Sequence, residues 1–171
     1  NDVWELTLGG RHFDYDRTDT SETKPSVFAG ANPTQQPDVA TGQAGDLLKA
    51  NLSFTPNDNT LLYAQVSEGF RLGRGQTIPP LGLCDVNNDG KLDHTEGDLT
   101  ARVDSDTTEN FELGGKFTLL DNRLTLNTAI FRVDWSNLPV NIIDTTDACP
   151  NNTTITNNLG EARSEGVELE G

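Results

Sequence analysis

Apolar and polar side chains alternate with a period of two residues in six separate stretches of this chain. In the clearest stretch, every second residue from Leu48 to Phe54 is apolar and the residues between them are polar. Because successive side chains of a β-strand point to opposite faces of its sheet, this period predicts strands with one apolar and one polar face. The six predicted strands span about 2–15, 46–55, 60–71, 107–119, 123–135 and 158–170. The fold class that follows is all-β, and the alternation is weakest in the last two strands.

The connections between these strands are alternately short and long. Tight polar turns are predicted at 56–59 and 120–123, whereas the connections 16–45, 72–106 and 136–157 are long. An up-and-down antiparallel sheet would therefore carry short turns at one end and large loops at the other. Soluble domains rarely hold several long irregular loops, but outer-membrane β-barrels do so routinely. A soluble sandwich has the same alternation with its apolar face turned inward, and only the loop asymmetry favours the barrel.

Composition excludes several classes of protein. The 12 Lys and Arg residues against 27 Asp and Glu give a net charge of −15, which argues against a nucleic-acid-binding surface. The sequence has no run of 18 apolar residues, so no transmembrane helix is predicted. Both ends of the sequence read as strand, and we expect them to lie inside a longer protein.

Catalytic motifs are missing from the sequence. It has no GxSxG, HExxH or P-loop pattern, and its two histidines, His12 and His94, lack a partner at zinc-binding spacing. We therefore expect no enzymatic activity.

One segment, 85–96, has the spacing of an EF-hand calcium loop. Ca²⁺ prefers six to eight oxygen ligands, and Gly90 stands at the sixth position, where that loop turns sharply. The predicted calcium ligands are Asp85, Asn87, Asp89, the Lys91 carbonyl, Asp93 (directly or through water) and Glu96. The flanking segments do not read as helices, which favours a lone structural calcium loop inside the connection 72–106. The alternative is an ordinary acidic, solvated loop.

Five segments together resemble the barrel of TonB-dependent outer-membrane receptors. They are 6–11, 59–73, 109–116, 123–127 (with Phe131 and Trp135) and 160–168, and they occur in that family's order. The resemblance implies that 1–171 is part of a 22-stranded barrel whose lumen is closed by a plug. Residues 1–171 contain no segment that resembles the family's plug or its TonB-contacting box, and no final strand that ends in an aromatic residue.

The resemblance also implies a function, a location and partners. The parent protein would take up a scarce nutrient across the bacterial outer membrane, with an iron–siderophore complex as the default ligand and the TonB complex as the energy source. Membrane lipid would cover the apolar face, and the residues that contact TonB would lie outside this sequence. The competing hypothesis is a secreted calcium-binding β-module for adhesion or complex assembly.

Inside such a barrel, glycines in the strands would provide room for bends or bulky neighbours such as Tyr63. The glycines concerned are Gly9, Gly10, Gly69, Gly114, Gly115 and Gly166. For Arg71 and Lys116 two roles are open: charge in the lumen that attracts an anionic ligand, or pairing with Glu68 or Glu112 in the barrel wall. We favour the pairing.

The two cysteines, Cys84 and Cys149, lie in the second and third long connections. These connections flank one hairpin and would emerge at the same end of the sheet. Because the periplasm is oxidising, we predict a disulfide between them. The alternative is two unpaired thiols.

Overall fold

The computed structural model describes residues 3–20, 22–23, 34–35, 38–76, 100–143 and 154–171. In chain order the strands are β1 (Trp4–Asp19), β2 (Glu22–Thr23), β3 (Thr34–Gln35), β4 (Val39–Asn57), β5 (Thr60–Arg71), β6 (Arg74–Gly75), β7 (Arg102–Val103), β8 (Asp106–Leu119), β9 (Leu124–Ile143) and β10 (Thr154–Glu170). The six long strands form one sheet in the order β1-β4-β5-β8-β9-β10, and every neighbouring pair is antiparallel. The predicted all-β, up-and-down architecture is confirmed.

All six predicted strands are present, but four of them extend further towards the long connections. β1 and β4 stay paired without interruption as far as Asp19 and Val39. β9 and β10 stay paired as far as Ile143 and Thr154, with shifts of register on either side of Gly160. Polar residues dominate the extension of β1, so the period-two pattern that identifies a half-apolar strand is lost there. Backbone pairing continues where the hydrophobic signal has ended.

The two tight turns close hairpins at one end of the sheet. The turn between β8 and β9 places Leu120, Asp121 and Asn122 in the left-handed region, with φ of 55°, 52° and 66°. Asn59 donates its N–H to the Asn57 side chain in the other turn. The predicted difference between the two ends of the sheet is therefore present.

The register places most aliphatic side chains of the six strands on one face, called the outer face. Leu52 lies opposite Leu6 and Ala64, and Leu113 lies opposite Ala64 and Ile130. These side chains are largely exposed: Leu6 is 62% and Leu113 is 59% accessible. In the described part of the chain the buried apolar residues are only Val103 and Ile155. The apolar face is therefore not packed into a soluble core, and the soluble-sandwich alternative is wrong.

The opposite, inner face is mainly polar but also carries aromatic rings, among them Phe13, Tyr63 and Trp135, and the sheet is open at both sides. Among the described residues, β1 and β10 pair on one side only. Unpaired strand edges of this length require neighbouring strands or a cover. No helix of the described residues is long and apolar enough to cross a membrane.

Candidate functional site

The residues predicted to bind calcium or to form the disulfide lie outside the described residues. They are Asp85, Asn87, Asp89, Lys91, Asp93 and Glu96, together with Cys84 and Cys149. Both hypotheses stay predictions. The candidate site described here is the inner face at the end of the sheet that carries the long connections.

Arg71 and Asp106 form the central ion pair of this site. Asp106 is 2% exposed and accepts hydrogen bonds from Arg71 Nε at 3.0 Å and from Trp135 Nε1 at 2.5 Å. The guanidinium of Arg71 lies over the Trp135 ring, 4.6 Å from its centroid. Burial raises the pKa of Asp106, but the bonds from Arg71 and Trp135 outweigh burial and leave this pKa below its ordinary value.

This pairing corrects the predicted partners of Arg71 and Lys116. Arg71 does lie in a wall ion pair, but Glu68 instead accepts the backbone N–H of Leu48. Glu112 accepts the Tyr63 hydroxyl, and Lys116 makes no ion pair with any described residue. The sequence contains no signal for the correct partner. A long connection separates Arg71 from Asp106, so local patterns do not show which residues of β5 and β8 stand opposite each other.

The glycine prediction for Tyr63 is confirmed. A Cβ on Gly114 would overlap the Tyr63 ring, so the missing side chain lets this ring lie over β8 and donate its hydroxyl to Glu112. Gly45 plays the same part for Phe13, whose ring would lie 2.8 Å from a Cβ at that position. At these two places an aromatic ring therefore lies over a glycine on the inner face.

A short ribbon crosses the inner face at this end. It consists of residues 73–76 and 102–105 and contains the β6–β7 pair. On the β1 side, Gly75 donates its N–H to the Asp19 carboxylate at 2.6 Å, and Gly73 donates to the Tyr15 oxygen at 2.9 Å. The Gly75 N–H, and next to it Arg17, hold the pKa of Asp19 below its ordinary value.

On the other side the ribbon contacts β10 through two carboxamide side chains. Gln76 donates to the Thr156 carbonyl at 2.7 Å and accepts the Thr156 N–H at 2.8 Å. Asn158 accepts the Asp104 N–H at 2.8 Å and donates to the Asp104 carbonyl at 3.0 Å. Sequence reasoning missed the ribbon, because two-residue strands carry no periodic pattern.

A cavity of about 440 Å³ lies between the ribbon and the wall. Its lining is mostly polar: Arg71, Leu72, Arg74, Val103, Asp104, Asp106, Pro139, Asn141 and Thr156. Guanidinium, carboxylate and amide groups together suit a small polar or zwitterionic guest rather than an apolar one.

Comparison with known proteins places this architecture in a family. The family model described as TonB dependent receptor-like, beta-barrel matches residues 1–171. The chain belongs to this family and forms part of the wall of an outer-membrane β-barrel, and the family's members are receptors rather than enzymes.

Individual relatives are consistent with this assignment. The chain is 29% identical over 170 residues to the probable TonB-dependent siderophore receptor PiuA of Acinetobacter baumannii, covering 97% of this chain and 19% of that protein. It is similar in fold to the ferric-catecholate import receptor Fiu of E. coli K12, with TM-score 0.63 and 23% identity over 99% of this chain and 23% of the other. The crystal structure of PiuA gives TM-score 0.61 and 22% identity over 98% and 20%. The chain therefore spans about a fifth of the length of these relatives.

Proposed function

We propose that this chain is part of the wall of an active transporter that carries a ferric siderophore across the outer membrane with energy from the TonB system. The observation that carries the proposal is the outward apolar face common to all six strands, with a polar inner face behind it. A polar lumen inside an apolar outer surface is what a large transport barrel requires. Among the relatives, PiuA and Fiu are described as a siderophore receptor and a ferric-catecholate import receptor.

Lipid is the proposed partner of the outer face. At the turn end, Trp4 stacks on Phe54 with ring centroids 4.3 Å apart, as expected of an aromatic girdle at a membrane interface. Towards the end of the sheet that carries the long connections, the same face has charged side chains, including the ion pairs of Asp134 with Arg132 and Arg163. Aromatic residues on one side and charges on the other delimit the apolar band between them.

Energy coupling and ligand choice would depend on segments outside this sequence. The proposed TonB contact would lie in such a segment, and the ligand would reach the lumen past the long connections. Loops positioned on a rigid scaffold usually set specificity.

Uptake by a deletion strain tests this function. Loss of the gene should abolish uptake of radiolabelled iron from at least one ferric siderophore, and a strain that lacks TonB should show the same loss. Complementation with the intact gene serves as the control. Normal iron uptake from every siderophore tested, with a growth defect on cobalamin or a glycan instead, would contradict the siderophore as the ligand. The proposed role as a transporter would then stand with a different nutrient.

A further inference from the structure

The wall divides between β4 and β5 at the end that carries the long connections. The ladder between these two strands ends at the pair Lys49–Ser67. β4 nevertheless continues to Val39 as the partner of β1, whereas β5 continues to Arg71 as the partner of β8. Beyond the last pair, no strand among the described residues pairs with the β5 side of β4. β4 and β5 both lie inside the sheet, so this gap does not depend on the strands that would flank β1 and β10.

Two hydrogen bonds show which way the backbone of β4 points. Thr55 donates its N–H to the Val3 carbonyl, so odd-numbered residues of β4 face β1. Leu48 donates its N–H to the Glu68 side chain, so even-numbered residues face the β5 side. Because the backbone groups of successive residues point to opposite neighbours, the even-numbered residues beyond Leu48 direct both N–H and C=O into the gap. We call these residues the rim edge: Ala40, Gly42, Ala44 and Asp46.

The rim edge is accessible and acidic on the outer face. Its side chains are short, and those of Ala40, Ala44 and Asp46 are exposed. The Asp16 carboxylate of β1 lies over Gly42, since a Cβ at Gly42 would be 2.6 Å from a carboxylate oxygen of Asp16. The exposed ionisable side chains on the outer face around the rim edge are His12, Asp14, Asp16, Asp46 and Glu68. Carboxylates therefore dominate this surface.

We propose that the rim edge binds an extended, basic peptide segment of another protein, which adds to β4 as one more strand. An exposed row of N–H and C=O groups is what strand addition uses, and the main-chain hydrogen bonds supply the affinity. Lysine or arginine at alternate positions of the peptide would lie beside Asp46 and the Asp16 carboxylate, because side chains of paired strands meet on the same face. The inference goes beyond the proposed transport function, because it concerns the rim of the wall and a protein partner.

Amide hydrogen exchange of the full-length receptor in detergent tests whether the rim edge is open. The N–H groups of Ala44 and Asp46 point into the gap, whereas those of Gln43 and Gly45 point to β1. We expect protection factors at Ala44 and Asp46 to be at least about tenfold lower than at Gln43 and Gly45, because only the latter pair lies in a ladder. Equal protection in the two sets would show that another part of the receptor covers the rim edge, and would overturn the proposal.

A fluorescently labelled heptapeptide of alternating lysine and valine is the binding probe. It should bind the full-length receptor saturably in anisotropy measurements, and more weakly at high salt, because exposed charges are screened. The matched heptapeptide of alternating glutamate and valine should not bind. Absence of saturable binding by the lysine peptide, or equal binding of the two peptides, would overturn the proposal.

The variant Ala44→Pro tests the rim edge itself. Proline removes an N–H that points into the gap, and a strand accepts proline only at such an unpaired position. This variant should weaken binding of the lysine peptide by about tenfold, because one main-chain hydrogen bond is lost. Asp46→Asn should weaken it by about two- to fivefold, since exposed ion pairs contribute little. Asp121→Asn, in the tight turn at the opposite end of the sheet, is the control and should leave binding unchanged.

Heat-modifiable migration on gels reports whether each variant barrel is folded. A folded Ala44→Pro receptor that binds the lysine peptide as tightly as the wild type would overturn the proposal. If Ala44→Pro does not fold, the exchange comparison in the wild type decides.

Discussion

Arg71 and Asp106, 35 residues apart in the chain, stand directly opposite each other where β5 and β8 meet the long connection. The carboxylate is almost completely buried, while the Arg71 side chain is largely exposed and its guanidinium covers one face of the Trp135 ring. This pair lies at the last position of the continuous ladder between β5 and β8. The contribution of this ion pair to the free energy of unfolding can be measured.

Replacing Asp106 by Asn should lower the free energy of unfolding by about 1–3 kcal/mol, because a buried acceptor of charge-assisted bonds is lost. Urea unfolding of the full-length receptor, followed by tryptophan fluorescence, measures this change. Asp104→Asn is the matched control, since the ion pair of Asp104 with Arg102 is exposed and should be worth less than about 1 kcal/mol.

Because folding lowers the pKa of Asp106, the contribution of this carboxylate to the free energy of unfolding is complete above the unfolded-state pKa of about 4. The contribution is lost as pH falls through the folded-state pKa. Equal effects of the two substitutions would contradict the role given to Asp106.

Gly114→Ala should destabilise the barrel by about 1–3 kcal/mol, because the new methyl group overlaps the Tyr63 ring. Gly9→Ala is the control, since the nearest atom to its Cβ would be 3.7 Å away. In a Tyr63→Ala background the cost of Gly114→Ala should shrink, and a double-mutant cycle measures the coupling. Additive effects would show that the glycine is required for a reason other than this ring.

Leu120→Gly should stabilise the receptor by about 0.5–1 kcal/mol, because glycine adopts a positive φ without the steric cost that leucine bears. The Leu120 side chain is 69% exposed, so little packing is lost. Asp58→Gly in the other tight turn is the comparison: Asp58 does not have a positive φ, and the same substitution should be neutral or destabilising there. Thermal unfolding of both variants decides the sign.

The EF-hand pattern at 85–96 predicts that calcium protects the second long connection from proteolysis. Limited proteolysis of the full-length receptor should cut this connection faster with a chelator than in millimolar Ca²⁺, the range in which extracellular calcium modules bind. Glu96→Gln should abolish the difference, because Glu96 supplies two of the predicted ligand oxygens. Asp98→Asn, just outside the pattern, should leave it intact. Cleavage that is indifferent to chelator in the wild type would refute calcium binding.

A disulfide between Cys84 and Cys149 is the last prediction. The bonds between Gln76 and Thr156 join the bases of the two connections that carry these cysteines. In the chain-entropy model a closure of this length stabilises by roughly 4 kcal/mol. Thiol labelling of the denatured, non-reduced receptor should detect no reactive cysteine, and Cys84→Ser should expose one. Two labelled thiols in the wild type would exclude the bridge.

The parts of the fold that the sequence predicts are the strands with one apolar and one polar face. From Leu48 to Phe54 the apolar side chains lie on one face and the polar ones on the other, and this difference produces the alternation in sequence. The order of the strands followed from the turns, and the room for Tyr63 followed from the glycines beside it.

The loop end could not be predicted in the same way. Between Asp16 and Asp19 both faces of β1 are polar, so no contrast marks the strand. The contacts of Arg71, Gln76 and Asn158 join residues far apart in sequence, and their partners depend on a register that no local pattern encodes. The extensions of the strands and the ribbon therefore became visible only in the structure.

The absence of a side chain at Gly45 affects contacts on other strands. Phe13 passes over it to stack on Phe70 with ring centroids 3.8 Å apart, and Phe70 in turn lies beside Tyr15, whose hydroxyl bonds Ser105. Any side chain at position 45 would displace Phe13 and, through this row of rings, disturb the hold on Ser105. A natural variant at Gly45 would therefore disturb the ribbon of residues 73–76 and 102–105, although the altered residue lies in a strand that this ribbon does not adjoin in sequence.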